Sequence, residues 1–91
     1  MSYRIKPGQT AAAKKLGVTI KPSTLKGKKI AVYKAGEKVA DIGAIGYSDF
    51  WTYYAADPFV ARIKRDHYRA RHKGEQNKIG SPGYYAWYIL W

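Results

Sequence analysis

Between Asp57 and Lys73, DPFVARIKRDHYRARHK, apolar and charged residues recur at helical spacing. Asp57 suits the N-cap and Pro58 the first helical position. At about 100° per residue, Phe59, Ile63, His67 and Ala70 fall on one side, with Val60 at its edge. Arg62, Arg65, Arg69 and Lys73 fall on the other. The pattern predicts a helix with one side for a core and one carrying a cationic row. Upstream, Lys29 to Lys34 and Lys38 to Ile42 flank Ala35-Gly36-Glu37, a β-hairpin with a glycine-containing loop. Ile30, Val32, Ala40 and Ile42 should face the core, and Asp41 should point outward toward a strand lysine. Val18 to Lys21 alternates and offers a third strand, which Pro22 stops or confines to an edge.

The remaining elements are shorter. Residues 1–9 read as extended, with Lys6-Pro7-Gly8 as a breaker, before a short helix from Ala11 to Leu16 capped by Thr10 and ended by Gly17. Ser48 or Asp49 can cap a helical turn bearing Phe50, Trp51, Tyr53 and Tyr54. These aromatics are expected to pack the hairpin against the basic helix, and a base-stacking platform is the competing reading. Ser81-Pro82 repeats the cap-plus-proline start before GYYAWYILW, apolar at nearly every position and therefore expected to be buried on most sides. The expected fold is a small α+β domain. A β-hairpin, open to a third strand, packs on a basic amphipathic helix and an aromatic C-terminal segment. Residues 1–12 would form an extended basic arm and residues 13–91 the single domain.

Charge changes this picture more than length does. The 91 residues hold 17 Lys and Arg against 6 Asp and Glu, a formal charge of +11. Such an imbalance favours contact with nucleic acid, an anionic membrane or an acidic protein surface. Cysteine is absent, which excludes disulfides and thiolate metal sites. No run approaches the roughly 20 apolar residues of a transmembrane helix, and the N-terminus lacks the apolar core of a secretory signal.

The catalytic inventory is poor, so no enzyme, cofactor or small-molecule substrate is expected. His67 and His72 lack the i, i+4 spacing of a zinc-protease helix, and no phosphate-loop or dinucleotide motif occurs. Asp57, Asp66 and His67 are better read as a cap, a local partner of neighbouring arginines and a residue bordering the core. The candidate anion- or nucleic-acid-binding residues are Arg62, Arg65, Arg69 and Lys73 on the helix. Lys26, Lys28 and Lys29 of the basic stretch STLKGKK join them, although a solvated turn is the favoured reading there. Lys64 and Arg71 lie on the flank beside Val60. The candidate partner-docking residues are Trp51, Tyr54, Tyr88 and Trp91.

Several local patterns together resemble a family of small uncharacterised basic proteins of large DNA viruses (algal and amoebal giant viruses) and some phages. They run, in order, through Ala13-Lys14-Lys15-Leu16-Gly17-Val18, Lys21-Pro22-Ser23-Thr24, Lys26-Gly27-Lys28-Lys29, Val32-Tyr33-Lys34 and Ile42-Gly43-Ala44-Ile45-Gly46-Tyr47. Asp49-Phe50, Tyr68 with Arg71-His72, Pro82-Gly83-Tyr84-Tyr85 and Leu90-Trp91 complete the series. The resemblance implies a viral origin and carries over no functional residue. From that context the expected role is a structural protein of a virus particle, a minor capsid, cement or internal virion protein. Its partners would be capsid or other virion proteins, in the virion and in the host-cell interior during assembly. Trp51 and Ala55-Ala56 depart from the more polar residues expected in relatives, which points to a partner surface there. Two further readings stand beside this one. One is a non-specific DNA- or RNA-binding protein using the arginine row. The other, a membrane-surface protein, would need apolar residues that the core is expected to use.

Overall fold

The computed structural model describes residues 3–91. Three antiparallel strands, β1 (Thr19–Pro22), β2 (Lys28–Lys34) and β3 (Glu37–Ala44), form one sheet in the order β1-β2-β3. The third strand is thus present, and it lies at an edge, as Pro22 requires. The hairpin closes on two residues, Ala35 and Gly36, with φ of 52° and 82°. Positive φ at both positions matches the right-handed twist of the flanking strands. Val32 faces Ala40 and Tyr33 faces Lys38, so Val39 is an extra residue in β3, a bulge.

One face of the sheet carries Ile30, Val32, Ala40 and Ile42, all buried as their alternation predicts. They pack against Ala13 of helix α1 (Pro7–Lys15) and Tyr85, Ile89 and Leu90 of the C-terminal segment that includes helix α4 (Pro82–Ile89). Asp41 pairs with Lys38 at 2.7 Å and accepts from the Ser23 hydroxyl at 2.6 Å. Lys38 holds the Asp41 carboxyl below the usual carboxylate range.

Helix α1 begins at Pro7, earlier than the expected cap at Thr10, so the basic arm is not extended over residues 7–12. Lys6-Pro7-Gly8 is a helix start: proline occupies the first turn, where its missing N–H costs nothing. The Lys6 N–H donates to the Gln9 Oε1 at 2.9 Å. Residues Met1 and Ser2 of the expected arm lie outside the described residues.

Helix α2 (Phe50–Ala56) and helix α3 (Pro58–Arg71) follow β3. Asp57 caps α3, its Oδ1 accepting from the Phe59 N–H at 2.9 Å. A 3-10 turn, Glu75–Asn77, leads to α4, which Ser81 caps. Among the described residues, the core cluster contains no residue of α3. The basic helix packs instead on α2 and the C-terminal aromatics.

Candidate docking face and cationic groove

Helix α3 is rotated about its axis relative to the face its sequence predicts. The residue turned fully inward is Ala61, 0% exposed. Arg65, Tyr68, Arg69 and His72 are half-buried on the same side. The expected core stripe faces solvent: Phe59 is 69% exposed and Ile63 40%, with Val60, His67 and Ala70 also outside. The inward side works because alanine permits close helix approach, while arginine stems and guanidinium faces cover aromatic rings. The Arg65 guanidinium lies 4.6 Å from the Phe50 ring centroid and that of Arg69 lies 5.0 Å from Trp87. Tyr68 stacks on His72 at 4.2 Å and on Trp91 at 4.7 Å.

The predicted arginine row is therefore not one surface. Arg62 and Lys73 are exposed, but Arg65 and Arg69 belong to the packing. An Arg69 Nη2–H donates to the Trp91 carbonyl at 3.3 Å, and its Nε is buried without a partner. Burial and then the nearby Arg65 pull the Arg69 guanidinium below its ordinary pKa. Asp66 forms none of the ion pairs among the described residues, contrary to its expected pairing with a neighbouring arginine.

Lys29 does not face solvent either. It is 5% exposed, and its Nζ lies 3.1 Å from Oδ2 of Asp49, itself 1% exposed. Asp49 caps α2 through the Thr52 N–H at 2.9 Å and accepts from the Tyr3 hydroxyl at 2.5 Å. Burial alone would raise the Asp49 carboxyl, but these hydrogen bonds and the Lys29 charge together hold it below the usual range. Tyr3 is pushed well above the ordinary phenol, by burial first and then by its bond to Asp49. Gly43, at φ 77°, lets β3 pass over the Lys29 stem; a Cβ there would lie 2.9 Å from Lys29 Cδ. Of the lysines proposed for anions in this stretch, only Lys26 and Lys28 remain exposed. Ser23 is spent on Asp41 and the Leu25 N–H.

The aromatic docking candidates also divide. Tyr54 and Tyr88 are exposed, whereas Trp51 and Trp91 are half-buried. The Trp51 indole lies against Gly8, where an added Cβ would sit 2.3 Å from the ring, and contacts Phe50 edge-on at 5.0 Å. It joins α2 to α1 within the chain.

The structure adds a groove that the sequence analysis did not identify. It has a volume of about 410 Å³ and runs between α3, the turn after β3 and the C-terminal residues. Lys64, His67 and Arg71 line one wall, Tyr47 and Ser48 the other, with Tyr53 and Trp91 between them. The signal for it was the flank beside Val60, where Lys64, His67 and Arg71 fall at i, i+3 and i+7. Among the described residues, no group of three or more His, Cys, Asp and Glu is placed to hold a metal, and no helix is long and apolar enough to cross a membrane. Comparison with protein-family models, curated proteins and solved structures finds no match.

Proposed function

We propose that the chain is a small, non-enzymatic structural protein that docks onto a larger assembly through the outward face of α3. In the viral context implied by the family resemblance, that assembly is a virus particle and the partner a capsid or other virion protein. The observation that carries the reading is the exposed stripe of Phe59 and Ile63, with Val60 beside it. A helix that turns arginines inward and a phenylalanine outward leaves an apolar face uncovered, and such faces mark interaction sites. Arg62 and Lys73 border the stripe and fit a partner whose apolar notch is rimmed by carboxylates. Asp66 is exposed on the same outward side, which disfavours insertion into an anionic lipid surface. The core does not use Phe59 and Ile63, so Asp66, and not the needs of the core, weighs against a membrane surface here.

The test is retention on purified particles through a high-salt wash. The wild-type chain should remain in stoichiometric amount, and Phe59→Glu/Ile63→Glu should wash off while staying folded. Equal retention of both would contradict docking through this face. Co-flotation of the wild type, but not the variant, with anionic vesicles would replace the protein partner with a lipid surface.

A further inference from the structure

We propose that the groove between α3 and the turn after β3 binds single-stranded nucleic acid by the phosphates and unpaired bases of adjacent nucleotides. The inference does not rest on the docking face, whose Phe59 and Ile63 lie on the neighbouring strip of α3 and line no part of the groove. The wall formed by Lys64, His67 and Arg71 presents donors at helical spacing. Neither Lys64 nor Arg71 takes part in an ion pair among the described residues. The one carboxylate side chain lining the groove, Asp49, is already held by Lys29, Tyr3 and Thr52, so the unpaired side-chain charge facing the cavity is cationic.

Size and rings then narrow the ligand. A volume of about 410 Å³ is far more than one phosphate needs and lies within the range of sites for small organic ligands. Tyr47, 76% exposed, stands at the rim, with Tyr53 and Trp91 further in. Tyr68 is already stacked against His72 and Trp91, so it serves as support and leaves base contact to Tyr47 and Tyr53. The Lys64 Nζ sits 5.6 Å from the Tyr53 ring centroid, which puts a phosphate-binding cation beside an aromatic surface. Aromatic faces and backbone-tracking cations together are the recognition chemistry of single strands. A duplex presents its phosphates but keeps its bases stacked, so the rings would be unused. An acidic peptide would use the cations and also leave the rings idle.

The experiment is a fluorescence-anisotropy titration of the full chain with a labelled oligothymidylate, between about 50 and 200 mM salt. A duplex of equal length and thymidine monophosphate serve as competitors. The strand should bind more tightly than the duplex, with the monophosphate competing only weakly. Lys64→Ala/Arg71→Ala should reduce the salt slope by about 1.4, at about 0.7 for each lost phosphate contact. Tyr47→Ala, at an exposed turn position, should weaken binding about ten-fold, the scale of one lost base stack. Arg62→Ala/Lys73→Ala removes the same charge from the opposite side and should have the smaller effect. Equal losses from the two cation pairs, or no change in Tyr47→Ala, would overturn the groove. Equal affinity for the duplex would overturn the unpaired base, and equal affinity for the monophosphate would overturn the strand as its source.

Discussion

Lys29 and Lys28 are adjacent in the sequence and opposite in role. Lys29 is buried against Asp49, while Lys28 is exposed at the start of β2. Lys29→Ala should cost about 3 kcal/mol, because a buried carboxylate loses its counter-charge. Lys28→Ala should stay within about 0.5 kcal/mol, as surface changes usually do. Urea unfolding of the two variants checks both. The same site makes the fold acid-sensitive. The Asp49 carboxyl is held below its usual value of 3.8, so its contribution is present above that pH. It is lost as pH falls through the lower folded value, and an Asp49→Asn variant should flatten the acid limb of a stability-versus-pH curve. Gly8 is the second position of this kind. Gly8→Ala should destabilise by about 1–3 kcal/mol through overlap with the Trp51 ring, against the direction of helix propensity. The cap at Asp49 was legible locally, since it needs only its own following turn. Its pairing with Lys29 was not, because the partners are separated by 20 positions and nothing local distinguishes one lysine of STLKGKK from the next.

The elements were legible where a local pattern decides them. Hairpin alternation, the Ser81-Pro82 start of α4 and the Asp57-Pro58 start of α3 all depend on near neighbours. The orientation of α3 was not legible, because the periodicity of its apolar residues assumes that the domain covers them. Here the aromatic rings of Phe50 and Trp87 take the arginine faces instead. The start of α1 was misplaced because proline and glycine both interrupt and initiate helices, and only Gln9, buried and bonded back to Lys6, decides between them. The β2–β3 turn leaves room for improvement. Ala35 at φ 52° carries a conformation that alanine disfavours. Ala35→Asn should therefore stabilise by about 0.5–1 kcal/mol, read as a higher urea midpoint with an unchanged slope.

At the scale of the whole molecule, the core is the hairpin face against α1 and the C-terminal segment, as alternation in the strands and continuous apolarity at the C-terminus suggested. Ile89 is at its centre with 0% exposure, and Ile89→Ala should cost about 2–5 kcal/mol in chemical denaturation. The net charge of +11 raises the expectation of acidic partners, but composition carries no geometry. The fold sorts the cations into Lys29, Arg65 and Arg69, used for internal structure, and Arg62, Lys64, Arg71 and Lys73, exposed on two sides of α3. Docking through α3 depends on its apolar stripe being unused within the chain. The most direct measurement is thermal unfolding of isolated Phe59→Glu/Ile63→Glu beside the wild type. A melting temperature within about 5 °C of the wild type is the expected result, the shift that roughly 1 kcal/mol produces in a domain of this size. A fall of about 15 °C or more would place Phe59 and Ile63 in the core and contradict the outward stripe.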